Sequence, residues 1–496
     1  MRIILHGKII RSGVPLVAAA LIALSACSLG GSPGQTVDTP SGVSQAGTTS
    51  SIGDSYLTAQ QLLDTFETKN YQGAVFTVAT TRQNTFVPDE ENAGLISTAV
   101  IDRNKLVEDK YNITIVEKLY EEENLLTEQK NASLSGTAIG NIIAAPGEEI
   151  AVMAQNKLLL SLYELPYFDP LADYMDVELV KSATVGNTMY AMYGTVYDIK
   201  NNLWVVFYNK DLLTEYSIDD PYDYVINGTW TWKTFLDMAY TAAAETVNKK
   251  SPDLNTDIYG YASYFNGAAD YDLADAMWQS AGLSYLGTTF RSEKLTINID
   301  IDVAESIRAY MKEASLSNDA RYSGEGTDAI KAFTAGRILF YVYQVGLAST
   351  LIDSEASWGV APLPKVSEAQ EVYNCWVDPQ TIAIAAAASD PDTEFTGTIL
   401  RALCASSYEK TGEAVEETYL NYYLTDNRAA VMLFNYVFAN PQLDPVHIYG
   451  TGMQELGKET TDIVHSLIKA SSKIKSYLLS SSNLTLIEDF LADTFK

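Results

Sequence analysis

Short, unbroken apolar runs alternate along this chain with longer segments whose apolar residues recur every three or four positions. The run Ala74–Ala79 predicts a buried strand, Gly94–Lys110 predicts a helix, and Tyr111–Val116 predicts the next strand. Later segments repeat the pattern, with helices predicted over Pro146–Leu160, from Trp232 and over Thr327–Gly336, and strands over Leu203–Phe207, Ile338–Val345 and Trp358–Pro364. Strands that alternate with helices are typical of α/β folds, so the sequence predicts α/β architecture from residue 70 onward.

Length and charge narrow the class of protein. The 496 residues are enough for about two to four ordinary domains or two large lobes. The 33 basic residues are outnumbered by 63 acidic ones, and no basic stripe offsets the net charge of -30. Because such a chain repels phosphate groups, we expect no nucleic-acid partner.

The N-terminal segment has the composition of an export signal. Residues 1–26 contain Arg2, Lys8 and Arg11, no acidic residue, and then an apolar stretch from Val14. That stretch is shorter than the roughly 20 residues of a membrane-spanning helix, and it predicts a secretory signal. It ends in Leu24-Ser25-Ala26-Cys27, which resembles the bacterial lipobox, so residues 1–26 are predicted to be a lipoprotein signal peptide with lipidation at Cys27.

The segment that follows differs from the rest of the chain. Residues 27–55 are rich in Gly, Ser and Thr, a composition that predicts a flexible, lipid-anchored tether. The remaining cysteines, Cys375 and Cys404, could form one disulfide in an exported protein, but two buried free thiols are the favoured interpretation.

The sequence provides little support for the common catalytic and metal-binding motifs. The chain after the signal has two histidines, His447 and His465, and it has neither a Gly-x-Ser-x-Gly nor a His-Glu-x-x-His motif. The segment 452–459 resembles a phosphate loop but ends in Glu459, where Ser or Thr is needed, and 253–257 matches only the start of a calcium loop. We therefore expect no cofactor and no metal. A glycoside hydrolase stays open, because its chemistry needs only two carboxylates.

Several short motifs occur in an order that resembles a known family. They are the lipobox, Tyr208-Asn209-Lys210-Asp211-Leu212 after an apolar strand, Thr231-Trp232 before a helix, Tyr259-Gly260, Phe333-x-x-Gly336-Arg337, and Gly359-Val360-Ala361-Pro362-Leu363-Pro364. Together they resemble the extracellular solute-binding proteins of ABC importers, in the branch that contains maltose-binding protein and other carbohydrate-binding lipoproteins. No single motif is specific, but the ordered set extends over residues 70–440.

The resemblance implies a two-lobed, periplasmic-binding-protein-like (type II) α/β fold, with strands crossing at a hinge and the ligand in the cleft between the lobes. Lobe 1 would comprise residues 70–195 and 366–440, and lobe 2 residues 205–358 and 441–496. It also implies a non-enzymatic, monomeric receptor outside the cell or in the periplasm, held to the membrane by its lipid. The receptor would bind a carbohydrate and deliver it to ABC permease subunits. A non-sugar solute, such as a peptide or polyamine, stays an alternative.

Candidate ligand-binding residues follow from the ends of the predicted strands and from the resemblance. Sugars bind through stacking aromatic rings and planar hydrogen-bonding groups, and in α/β sheets ligands meet the carboxyl ends of strands. The residues selected in this way are Thr81, Arg82, Glu148, Asn202, Tyr264, Asn266, Trp278, Tyr343, Gln344 and Trp376. At Asn202 the family can place a carboxylate, and the family's stacking Trp near Tyr343 is absent here.

Overall fold

The computed structural model describes residues 57–450, apart from 248, 250–252, 264–270, 285–289, 293–299, 317–321, 323–326, 353, 355, 379 and 425. The signal, the tether and Cys27 lie outside the described residues, as do residues 451–496. No helix in the described ranges has both the length and the apolar character needed to cross a membrane.

The first sheet has five strands in the order β2-β1-β3-β10-β4. Its strands are β1 (Ala74–Thr80), β2 (Ile113–Leu119), β3 (Ile142–Pro146), β4 (Leu159–Leu160) and β10 (Ile382–Ala387). Strand β1 pairs in parallel with β2 and β3, whereas β10 runs antiparallel to β3. The helices of this part are α1 (Ala59–Asp64), α2 (Leu95–Tyr111), α3 (Glu122–Leu134), α4 (Gly147–Gln155), α5 (Val177–Ala183) and the long α14 (Thr393–Thr418), which packs on α1 and α2.

The second sheet has four strands in the order β6-β7-β5-β8. They are β5 (Trp204–Asn209), β6 (Tyr259–Ser263), β7 (Ile338–Gln344) and β8 (Trp358–Pro362), and β5 runs antiparallel to both β7 and β8. Its helices are α6 (Lys210–Glu215), α7 (Pro221–Ile226), α8 (Trp232–Ala242), α9 (Ala244–Val247), α10 (Tyr271–Ser280), α11 (Ile301–Leu316), α12 (Thr327–Thr334) and α13 (Ala348–Leu351). The amphipathic spacing after Trp232 places Phe235, Leu236 and Ala239 in the buried core, as predicted.

The chain crosses from the first sheet to the second before β5 and returns after β8. The two crossings touch, because Leu203 and Val377 form a β-bridge. Beside them, β9 (Cys375–Trp376) pairs in parallel with β11 (Pro441–Gln442). Helix α15 (Asn427–Met432) contacts β8, and the last described helix, α16 (Pro445–Gly450), contacts α4 and α5. The residue boundaries of the two lobes stay a prediction.

Two sequence predictions were wrong in detail. The helix predicted over Pro146–Leu160 ends at Gln155, and Leu159–Leu160 instead pairs with β10. Lys157, with φ 57°, turns the backbone between the two elements. Tyr111 ends a helix and does not begin the next strand, because Asn112 takes a left-handed conformation after it. Cys375 and Cys404 are separate, buried thiols, which confirms the favoured interpretation.

Candidate functional site

In each sheet, strand ends from which loops emerge lie beside the segments that cross between the sheets. In the first sheet, the carboxyl ends of β1 and β3 lie beside the start of β10, since Pro146 pairs with Ile382. In the second sheet, the carboxyl end of β7 lies beside the start of β5, since Gln344 pairs with Trp204. The N–H of Asp378 donates to the carbonyl of Asn202 at 3.0 Å, which joins the two crossing segments.

The Asp378 carboxylate is the polar centre of this region. It accepts hydrogen bonds from the Gln344 side chain, at the end of β7, and from the backbone N–H of Gln380 at 2.8 Å. Burial raises the pKa of Asp378, although both hydrogen bonds and the nearby His447 act in the opposite direction. A partly buried carboxylate held by donors from both sheets is a rigid hydrogen-bond acceptor for a polar ligand.

A series of aromatic rings runs beside Asp378. Trp204 and Trp376 stack with centroids 5.3 Å apart and an interplanar angle of 19°. Tyr343 meets the edge of Trp204 at 6.1 Å and stacks on Tyr341 at 5.4 Å, and His447 lies 5.7 Å from Trp376. These contacts connect the second sheet, through the crossing strands, to helix α16. Aromatic rings and a carboxylate at one place are what a ligand with apolar faces and polar edges requires.

Several polar atoms around Asp378 are buried and lack a protein hydrogen-bond partner. Within the described part of the chain they include Trp376 Nε1, Asn202 Oδ1, Thr381 Oγ1 and the Tyr193 hydroxyl. The N–H of Thr381 donates to the Asp378 carbonyl at 3.1 Å. Burial, with smaller effects of Tyr449 and Asp378, raises the pKa of the Tyr193 phenol. Leaving such groups unpaired costs about 1–3 kcal/mol each, a cost that a hydrogen-bonding ligand would offset.

Three acidic side chains lie at the carboxyl end of β3. Ligand oxygens of Glu122, Glu148 and Glu149 come within 4.8 Å of one another, and Glu148 accepts a hydrogen bond from the Gln380 side chain at 3.1 Å. Burial, followed by the charges of Glu122 and Glu148, raises the pKa of Glu149. These carboxylates could share a cation, but such partly exposed acidic groups are common without a metal, so their position alone assigns none.

The structure brings together four of the residues selected from the sequence, namely Asn202, Tyr343, Gln344 and Trp376. Glu148 joins them through Gln380, whereas Thr81 and Arg82 follow the end of β1, with the Arg82 side chain exposed. Trp278 lies near the end of α10, not at its start, and is 1% exposed in the core. Tyr264 and Asn266 lie outside the described residues. The ligand-binding roles of all ten residues stay predictions.

Sequence reasoning missed four residues of this region. Trp204 lies within an apolar run that looks like ordinary core, and Tyr193 and Thr381 belong to no motif. Asp378 was within reach, because it lies two residues after Trp376 in the loop that enters the first sheet again. Its importance arises from Gln344, which is distant in sequence and becomes a neighbour only through the crossing.

Two sheets with their surrounding helices, joined by paired crossings, define a two-lobed α/β fold. The family model of the bacterial extracellular solute-binding proteins matches residues 135–398, more than half of the chain. The chain belongs to this family, whose members are solute-binding components of ABC transporters and are generally not enzymes. No curated protein matches the chain.

Solved structures agree with this fold. The chain is similar to a cyclic α-maltosyl-1,6-maltose binding protein from Arthrobacter globiformis, with a TM-score of 0.53, 13% identity, and coverage of 84% of this chain and 99% of the other. It is also similar to a family 1 extracellular solute-binding protein from Bifidobacterium longum subsp. infantis, with a TM-score of 0.50, 13% identity, and coverage of 85% and 99%. These similarities show the two-lobed type II periplasmic-binding-protein fold.

Proposed function

We propose that this protein is an extracellular receptor that captures a carbohydrate, most simply an oligosaccharide, and delivers it to the permease subunits of an ABC transporter. The observation that carries the proposal is the group formed by the Trp204–Trp376 stack with Asp378, Gln344 and Asn202. It combines two stacked aromatic rings, which are 4% and 5% exposed, with planar acceptors and donors beside the crossing segments. Ligand binding would shift the population from an open to a closed arrangement, which the permease reads.

The chemistry of the residues supports a sugar more directly than the comparisons do. Sugar rings have apolar faces that pack on aromatic rings and hydroxyl edges that bond to carboxylates and amides. The Arthrobacter protein is named for a cyclic maltosyl sugar, but at 13% identity its similarity supports only the fold. Peptides and polyamines therefore belong in the same binding tests as sugars.

Ligand binding and closure test the proposal together. A panel of neutral oligosaccharides, peptides and polyamines is screened by thermal shift, and hits are followed by calorimetry and small-angle scattering. We expect a sugar to bind one per chain and to reduce the radius of gyration. Asn202→Ala and Gln344→Ala should weaken binding, whereas Gln60→Ala, at an exposed position of α1, should not. Binding of only a peptide or polyamine, or of no solute, would contradict the sugar proposal.

An enzymatic role is the competing proposal from another class. A glycoside hydrolase needs two carboxylates that flank one bond, and the acidic group at the end of β3 makes the test worthwhile. We expect no products when the purified protein is incubated with polysaccharides and bound oligosaccharides. Release of sugars that is lost in Glu148→Gln would establish hydrolysis and contradict a purely receptor role.

Anchoring completes the proposed function. Cys27 would carry the lipid, and the Gly- and Ser-rich residues 28–55 would hold a monomeric body near the membrane. Metabolic labelling with a fatty-acid analogue should mark the wild-type protein but not Cys27→Ser. Equal labelling of both proteins would contradict lipidation at this residue.

A further inference from the structure

The Asp378 carboxylate is held in place from both sides of the junction. Its backbone N–H bonds to Asn202, its side chain accepts from Gln344, and the N–H of Gln380 binds its second oxygen. These contacts leave the carboxylate little freedom to turn away from a bound solute. The position of its two carboxylate oxygens is therefore a fixed property of the site and not of one rotamer.

Buried polar atoms indicate that a ligand approaches this carboxylate. Trp376, Thr381 and Tyr193 are 5%, 3% and 1% exposed, and each has a side-chain polar atom without a protein hydrogen-bond partner. Trp376 lies two residues before Asp378, Thr381 bonds to the Asp378 carbonyl, and the charge of Asp378 acts on Tyr193. A solute at this carboxylate would therefore find further buried polar atoms to bond to.

The neighbouring charges are also mainly negative. Gln380 connects the Asp378 loop to Glu148, which lies with Glu122 and Glu149. Among basic side chains near the crossings, Lys200 is already paired with Asp198 at 2.8 Å, and Glu416 lies close to it. His447 faces Trp376 and lies near Asp378, and exposed Arg82 follows the end of β1.

We infer that Asp378 selects the solute by charge, so that the site accepts uncharged or amine-bearing sugars and rejects sugars that carry a carboxylate or a phosphate. The inference rests on the proposed function, since it names the chemical class of sugar that the same site takes. Two negative groups brought together in a partly dehydrated site repel each other far more strongly than in water. A negative group on the sugar therefore lowers the affinity of the site for that sugar, even when every other contact is kept.

Matched sugars of different charge test the inference. Neutral gluco-, galacto- and manno-oligosaccharides are compared by calorimetry with their amino-sugar, uronate and phosphorylated counterparts. For the wild-type protein we expect the anionic forms to bind at least tenfold more weakly than the neutral parent and the aminated forms at least as tightly. Asp378→Asn should reduce the penalty on the anionic forms by tenfold or more. Asp64→Asn removes the same charge from an exposed position of α1 and should leave the penalty unchanged.

The outcomes separate this inference from the proposed function. If a neutral sugar binds but its uronate or phosphorylated form binds as tightly, charge selection is wrong and the receptor function stands. Charge selection by Asp378 is also wrong if Asp378→Asn leaves the ratio unchanged, or if Asp64→Asn changes it equally. If no sugar of any charge binds, the proposed function itself fails. Because the wild-type ratio is measured first, a variant that does not fold leaves the inference falsifiable.

Discussion

Replacing Gly260 with alanine should push strand β6 away from helix α8, which packs against it. Gly260 lies in β6, and a Cβ added there would lie 2.2 Å from the carbonyl oxygen of Ala239 in α8. Ordinary contact at such a position begins near 3.4 Å, so the two backbones would have to move apart by about 1.2 Å. Overpacking of this kind costs about 1–3 kcal/mol, and a clash between two backbones belongs at the upper end.

Equilibrium urea denaturation followed by far-ultraviolet circular dichroism measures this effect. The matched control is Gly412→Ala, in the C-terminal third of α14, where the nearest other atom lies 3.9 Å from the added Cβ. Because alanine favours a helix over glycine by about 1 kcal/mol, the control should raise the free energy of unfolding. Harmless surface substitutions usually change the free energy of unfolding by no more than about 0.5 kcal/mol. If the free energy of unfolding of Gly260→Ala stays within about 0.5 kcal/mol of the wild-type value, the reasoning is refuted.

Three further changes test other parts of the molecule. Burial raises the pKa of Asp378 above 3.8, so its ionisation costs stability as the pH rises from 3.8 through the folded-state pKa. Asp378→Asn should therefore gain stability relative to the wild type between pH 3.5 and pH 7, and a constant difference in urea midpoints would contradict this. Arg103 is 1% exposed and donates to the Val196 carbonyl. Arg103→Ala should therefore lower the free energy of unfolding, measured by urea titration, by at least about 1.5–3 kcal/mol. An unchanged urea midpoint would contradict this prediction. Arg428 pairs with Asp220 at 3.0 Å on the surface. A double-mutant cycle should give a coupling energy of less than about 1 kcal/mol between the two side chains. A larger coupling energy would show that exposure does not weaken the pair.

The sequence predicted the elements better than it predicted the neighbours of each side chain. Runs such as Ala74–Ala79 and the spacing after Trp232 depend on local periodicity, and the structure contains the strand and the helix that they indicate. Leu159 and Leu160 were assigned to a helix because local spacing does not show that β10, more than 200 residues later, offers them an edge.

In the candidate site, too, residues could be predicted from the sequence but their contacts could not. Gln344 could be selected because it ends a predicted strand, and Trp376 because it lies in the loop predicted to enter the first lobe again. The stacking of Trp376 on Trp204 and the bond of Gln344 to Asp378 both depend on how two distant crossings pair. Long-range pairing of this kind leaves no periodic signal in the chain.

The Trp204–Trp376 stack has a consequence for how long the protein keeps its solute. An aromatic pair contributes about 0.5–1.5 kcal/mol beyond its buried area. At about 1.4 kcal/mol per factor of ten, a movement of the lobes that parts these two rings would be slowed by about two- to tenfold. The stack would then act on residence time, because release of the solute would have to wait until the two rings separate.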